Sequence, residues 1–142
     1  MPKKTLLRVI DVNFNRSKEG LRVVEDIFRF IFENNVLRKK IRELRHALTC
    51  IANETLLKDA ILSRNSKDDI GKDIDDLELK RNDINSILYC NLQRAKESLR
   101  VLEEFLKLIS FEKVSEIKKI RYKLYQIEKE ALKFCSNNDK NN

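Results

Sequence analysis

Residues 13–32 read NFNRSKEGLRVVEDIFRFIF, and residues 91–110 read NLQRAKESLRVLEEFLKLIS. At an offset of 78, nine of the twenty positions are identical and most of the rest are conservative. Downstream, IRELRHAL at 41–48 answers IKKIRYKL at 117–124, now at an offset of 76. A unit of roughly 50 residues therefore occurs twice. Within the first copy, Phe14, Leu21, Val24, Ile27, Phe28 and Ile31 recur at helical spacing and make one apolar stripe.

The 142 residues hold only 2 Gly and 1 Pro, and that proline is Pro2. Nothing inside the chain strongly breaks a helix, while hairpin turns and glycine loops lack their usual residues. This composition excludes a β-sandwich, a barrel and a dinucleotide-binding sheet. Two glycines at 20 and 71 cannot build a phosphate-binding glycine loop either. The expected fold is all-α: four main helices as two repeated helical hairpins in a pseudo-twofold bundle. The first hairpin pairs about Leu6–Phe32 with Val36–Leu62, and the second pairs about Asn82–Ile109 with Phe111–Phe134. Asn34-Asn35 and Ser110 mark the tight turns and are suited to capping. The single domain spans 1–135, with repeat A at about 6–62, a polar loop at 63–77 and repeat B at about 81–135. A frayed polar tail is expected over 136–142.

Thirty Lys+Arg against 23 Asp+Glu give a net charge of +7. That balance fits a well-charged helical surface or an anionic partner. No apolar run reaches the roughly 18 residues of a membrane span. Cys50, Cys90 and Cys135 are odd in number and widely spaced, which reads as small buried hydrophobes in a reducing cytoplasm.

On the helical wheel Asn13, Ser17 and Gly20 fall in the middle of the apolar stripe, as do Asn91, Ala95 and Ser98. Such a column of small residues allows two helix backbones to approach closely. Arg16 with Glu19 and Arg94 with Glu97 lie at the stripe's edge. Arg22 with Glu25 and Arg100 with Glu103 form i, i+3 couples on a more polar face. On the second helices, Arg45 falls among Ile41, Leu44 and Leu48, and Arg121 among Ile117, Ile120 and Leu124. A guanidinium directed inward must meet a carboxylate or a ligand anion. An internal Arg–Glu network and an anion-binding cleft both satisfy that need, and the pattern leaves both open. His46 is the single histidine, which makes a zinc cluster improbable. The loop carboxylates Asp68, Asp69, Asp73, Asp75 and Asp76 are hard oxygen donors of the kind Mg²⁺ accepts.

LRVIDVNFNRSKEGLRVVEDIFRF (Leu7–Phe30), the Arg45-His46 pair, RNSKDDIG (Arg64–Gly71), N-x-x-R-x-x-E-x-L-R-V-L-E-E (Asn91–Glu104) and I-R-Y-K-L-Y-x-x-E (Ile120–Glu128) together carry a resemblance. They resemble the small all-helical hydroxymethylpyrimidine phosphate kinase family of bacterial thiamin biosynthesis. That module also occurs fused ahead of the barrel domain of thiamin phosphate synthase. The resemblance covers about residues 6–132, with Val12 and Cys90 standing where alanine precedes each motif asparagine. No barrel sequence follows, so the stand-alone form is expected.

The resemblance implies transfer of the γ-phosphoryl group of ATP, with Mg²⁺, to a phosphorylated pyrimidine. An ionised phosphate oxygen attacks, so positioning and charge neutralisation suffice. On this reading Arg16, Arg45, Arg94 and Arg121 clamp phosphates, with Arg22, Arg64 and Arg100 as second choices. Glu19, Glu97 and Asp69 hold Mg²⁺ or orient the arginines, Asn13 and Asn91 read the aminopyrimidine edge, and His46 joins the substrate-binding set. A cytoplasmic location is expected from the cysteine usage, and a homodimer is left open. The alternatives are a non-catalytic helical interaction module and, on net charge alone, a nucleic-acid binder. Against the latter, basic and acidic residues interleave along every helix.

Overall fold

Pro2 caps the first helix, α1 (Lys3–Asp26), its carbonyl accepting from the amides of Thr5 (3.1 Å) and Leu6 (3.3 Å). The computed structural model describes residues 2–52, 55–73 and 81–140. After α1 come a π turn (Ile27–Ile31), α2 (Asn35–Ala52), α3 (Thr55–Leu62), α4 (Ile84–Leu106) and α5 (Phe111–Lys140). No strand occurs among the described residues. The protein is all-α, as its period and its shortage of glycine and proline require. Among the described residues, no helix is long and apolar enough to cross a membrane.

The turns have different builds. The first helix leaves α geometry at Ile27, where the Phe32 amide donates to Ile27 (3.0 Å) across five residues. The Asn34 amide then reaches back to Phe28 (2.8 Å), with Glu33 at a φ of 51°. Asn34 ends the turn by accepting the Leu37 amide at 3.1 Å on its side chain. Between α4 and α5 the chain needs only a short turn, closed by the Ser110 amide on Leu106 (2.8 Å). Asp83 caps α4 by accepting the Ser86 amide at 2.7 Å.

α1 packs along α4 as the most extensive helix pairing, and each lies against the helix that follows its turn. The two run antiparallel, because Ser17 meets Ser98 while Gly20 meets Ala95 and Asn91. The serine hydroxyls share a 2.7 Å hydrogen bond. A Cβ on Gly20 would lie 3.0 Å from the Asn91 carbonyl oxygen and 3.6 Å from the Ala95 Cβ. The small-residue column is therefore a helix crossing. Matched positions also make matched bonds: Asn13 donates to Val9 and Asn91 to Ile87, both at 2.8 Å.

Around this crossing Ile10, Phe14, Leu21, Phe28, Ile41, Leu48, Leu92, Leu99, Ile117 and Leu124 are fully buried. Each such side chain contributes about 1.5–3 kcal/mol of transfer free energy. Phe28, Phe32 and Phe134 close one end, with ring centroids 5.4–6.2 Å apart.

Several expected boundaries shift. The span foreseen as one helix, Val36–Leu62, is seen as α2 and α3, and residues 53 and 54 lie outside the described ones. The tail foreseen as frayed from Ser136 is helical to Lys140. Nothing in it stops a helix, and Ala131, Phe134 and Cys135 anchor its preceding turns against the core. Cys135 is buried, its thiol pushed up by desolvation and by Asp139. Cys50, foreseen as buried, is exposed because it lies on the outer face of α2.

Two outcomes follow from this packing. Gly20→Val forces a branched side chain onto the α4 backbone and lowers stability in urea denaturation by about 1–3 kcal/mol. The second concerns Glu130, which binds Lys40 at 2.7 Å and so joins α5 to α2. The lysine's hydrogen bond holds the Glu130 carboxyl below its ordinary value of 4.5. A carboxylate with a depressed folded-state pKa adds stability above its unfolded value and loses it as pH falls through the folded one. Glu130→Gln should therefore show a shallower stability loss on acidification below about pH 4.5. Equal slopes for the two proteins in denaturation series across that range would contradict it.

Candidate functional site

Two carboxylates that the wheel places on a polar face are in fact inside the protein: Glu25 is 3% exposed and Glu103 2%. Each meets the inward-facing arginine of the following helix. Arg45 Nε donates to Glu25 Oε2 at 2.9 Å. Arg121 donates to Glu103 through both Nε and Nη2, the latter at 3.1 Å. Because an unpaired buried carboxylate is costly, these pairs fix both arginines in place.

The pairs differ beyond that bond. Arg121 gives its remaining Nη1 to the Tyr125 hydroxyl, and the rings of Tyr122 and Tyr125 lie 5.2 and 5.5 Å from its guanidinium carbon. Its pKa is raised, first by the Glu103 hydrogen bond and also by Tyr125. Arg45 has no such cover. Its Nη groups make no hydrogen bond among the described residues, and its side chain is 21% exposed against 11% for Arg121.

Arg45 opens instead onto a hairpin cleft of about 790 Å³ between α1, the π turn and α2. Arg22, Arg29, Arg38, Arg42 and His46 line it with Arg45, beside Glu25, Glu33, Asn35 and Phe28. An inter-repeat cleft of about 560 Å³ lies between α1, the segment after α3 and α4. It gathers Arg8, Arg16, Glu19, Arg64, Asp69 and Arg94. Its floor includes Asp11, 3% exposed, which receives Arg64 Nε and Nη2 at 2.7 Å each. That bidentate bond raises the Arg64 pKa and leaves Nη1 over. Across the cleft Arg94 lies 3.9 Å from Glu19, and Arg16 Nη1 is 3.5 Å from the Asn13 amide oxygen.

The four-arginine clamp expected from the sequence is thus not one site. Arg16 and Arg94 share the inter-repeat cleft, Arg45 lies in the hairpin cleft, and Arg121 is held by Glu103 and two tyrosines. The separation has a simple cause: the Glu25–Arg45 and Glu103–Arg121 pairs belong to different hairpins. Arg64, Glu19 and Asp69 join the inter-repeat group, and Arg22 and His46 the hairpin group. Asn13 and Asn91 line neither cleft, since both amides are tied to carbonyls at the helix crossing. Glu97 is exposed outside both, and Arg100 is turned to Glu104 at 2.9 Å.

Of the loop carboxylates, Asp69 accepts the Gly71 amide at 2.8 Å and Asp68 pairs with Asn65. Asp75 and Asp76 lie outside the described residues. Among the described residues no three His, Cys, Asp or Glu side chains are grouped as a metal cage.

Asp11, Arg29, Arg38 and Arg42 escape the sequence reading. A signal existed for Asp11, Arg38 and Arg42: Asp11 lies at i+4 from Leu7 and i−3 from Phe14, within the buried stripe. Arg38, Arg42 and Arg45 repeat at i, i+4 and i+7, hence on one helix face.

Fold and clefts define a class: an all-α domain that presents two separate groups of arginine side chains in concave surfaces. The chain belongs to the ThiD2 family, whose model matches residues 8–130. The family resemblance carried by the repeated motifs is thereby shown. A thiamine-phosphate synthase of Synechocystis sp. is 36% identical over 124 residues, covering 87% of this chain and 35% of that protein. One of Prochlorococcus marinus is 37% identical over 129 residues (89% and 35%), and one of Rhodopirellula baltica 33% over 123 (86% and 33%). The chain spans about a third of the length of these relatives. No solved structure matches it.

The Asp11–Arg64 bond is testable by itself. Arg64→Ala leaves a buried carboxylate without its bidentate partner and costs about 1–3 kcal/mol at neutral pH. Adding Asp11→Asn recovers part of that loss, so a double-mutant cycle measured in urea is non-additive.

Proposed function

We propose that this chain is a kinase of thiamin biosynthesis that phosphorylates 4-amino-5-hydroxymethyl-2-methylpyrimidine phosphate to its diphosphate, with ATP as donor. Membership of the ThiD2 family and the thiamine-phosphate synthase relatives support the pathway. The observation that carries the reaction class is the inter-repeat cleft, where Arg16, Arg64 and Arg94 converge beside Glu19 and Asp69.

An oxygen of the acceptor phosphate attacks the γ-phosphorus of ATP. A new P–O bond forms, the bond to the β-phosphate oxygen breaks, and ADP leaves. The attacking oxygen is already ionised, so no strong general base is needed; orientation and neutralisation of negative charge are the demands on the protein. Arg64 suits the first demand, because Asp11 fixes its guanidinium plane before any ligand arrives. Arg16 and Arg94, exposed on facing helices, supply the second by gripping non-bridging oxygens from two sides. A free alcohol leaves this cluster unmatched, so the phosphorylated acceptor is preferred.

Mg²⁺ typically takes one or two carboxylates and completes its shell with water and substrate phosphates. Asp69, with Oδ1 on the Gly71 amide, and Glu19 line the same cleft and fit that requirement. The ion would neutralise charge on the phosphate oxygens.

The test is mass spectrometry of products after incubation with Mg·ATP and either the pyrimidine alcohol or its monophosphate. Diphosphate from the monophosphate is expected, with turnover reduced about 10²-fold or more by Arg16→Ala combined with Arg94→Ala. The helical circular dichroism of that variant should be unchanged. No diphosphate from either acceptor, or full activity in the variant, would overturn the reading.

A further inference from the structure

The hairpin cleft is not used by the reaction above, and its chemistry is more one-sided than that of the inter-repeat cleft. Five arginines line it against two carboxylates, Glu25 and Glu33. Glu25 is already engaged by Arg45 and Arg22, at 2.9 and 3.4 Å. Arg38 and Arg42 stand one turn apart on α2, and Arg45 follows on the same face. Arg38 is braced by the Asn35 side chain at 2.9 Å, and Arg29 lies over the Phe30 ring at 4.8 Å.

The matched place in the second repeat is a control supplied by the protein itself. Twenty residues separate Glu25 from Arg45, but eighteen separate Glu103 from Arg121. The two additional residues fall in the stretch that forms the π turn and the left-handed Glu33. At the offset of 76, His46 and Thr49 replace Tyr122 and Tyr125, the residues that cover Arg121. Arg38 stands where the second repeat has Val114, and Arg42 where it has Lys118. The same buried lock is thus closed in one repeat and left open, widened and lined with arginine in the other.

We infer that the hairpin cleft of the first repeat is a binding site for a phosphoanhydride chain of two or three phosphates, gripped by Arg45, Arg38 and Arg42. The formal surplus of three positive charges among its lining residues matches a di- or triphosphate. A single carboxylate or orthophosphate leaves much of that charge uncompensated. About 790 Å³ also exceeds what one phosphate occupies. Among the described residues Phe28 is the one apolar side chain of the lining and is fully buried, which leaves His46 as the exposed ring there. Recognition rests on the phosphates, whether they are free or form the tail of a nucleotide. The inference does not depend on the kinase reading, which concerns the other cleft.

Calorimetric titration of the full chain at physiological ionic strength tests it, with inorganic tripolyphosphate, pyrophosphate, orthophosphate and ATP as probes. Tripolyphosphate and pyrophosphate should bind well above orthophosphate. Arg38→Ala with Arg42→Ala, one half-buried and one exposed and both outside the hydrophobic core, should weaken tripolyphosphate binding about tenfold or more. Arg45→Gln should do the same where it folds. Arg100→Ala with Lys118→Ala, the charge-matched change in the second repeat, should leave affinity within about twofold. In the Arg16→Ala, Arg94→Ala variant, which weakens the inter-repeat cleft, ATP competing with tripolyphosphate assigns the hairpin site to a nucleotide tail; tripolyphosphate binding alone assigns it to a free polyphosphate. Equal losses in both charge-removed variants would mean diffuse attraction to a basic protein and overturn the inference. So would loss on Arg16→Ala with Arg94→Ala while the Arg38, Arg42 variant binds normally.

Discussion

The close crossing of α1 and α4 sets the rest of the architecture. At Gly20 an added methyl group would press on the Asn91 carbonyl oxygen at 3.0 Å, and the paired hydroxyls of Ser17 and Ser98 satisfy one another where water is excluded. With the two long helices in contact, each turns a buried glutamate toward the helix that follows it in its own hairpin. A carboxylate at 2–3% exposure is tolerable only with a cation beside it. Arg45 and Arg121 are therefore required by the packing before any ligand is considered.

What the two hairpins do with that requirement is different. In the second, Glu103 and Tyr125 accept from all three nitrogens of Arg121, and the rings of Tyr122 and Tyr125 cover its guanidinium. In the first, Glu25 takes Nε and leaves the outer edge of Arg45 directed at an open cleft. An internal Arg–Glu network and an anion-accessible arginine, which compete as explanations of the sequence, each describe one of the repeats.

The helical class, the small-residue crossing and the inward arginines are all visible in the amino-acid order, since each depends on a period or on a shortage of glycine and proline. The partners of those arginines are not. Glu25 and Glu103 read as polar-face residues because each follows an arginine at i−3. Only tertiary packing reveals that Arg22 and Arg100 stay outside, half exposed, while the glutamates are enclosed. The assembly of Arg16, Glu19, Arg64, Asp69 and Arg94 likewise depends on how the segment after α3 folds back over α1, for which no local spacing rule exists. The π turn is a subtler case. The change of offset from 78 to 76 announces two additional residues between the matched motifs. It does not say whether they lengthen the loop or widen the helix.

Both clefts use one device. α1 carries two buried acids, Asp11 and Glu25, and each fixes an arginine from later in the chain, Arg64 and Arg45, at the base of a concave surface. A guanidinium already oriented by a buried carboxylate gives up little further rotamer freedom when an anion arrives, so more of the contact energy appears as affinity. The second repeat lacks the first of these devices and has closed the second. Tyr89, half exposed, stands at the position matching Asp11, and Glu103 holds Arg121 on two donors. The two repeated sequences thus differ in what they carry, and the concave, arginine-lined surfaces concentrate around the buried acids of the first. The second hairpin then acts chiefly as the wall against which α1 is pressed, contributing Arg94 at the shared edge.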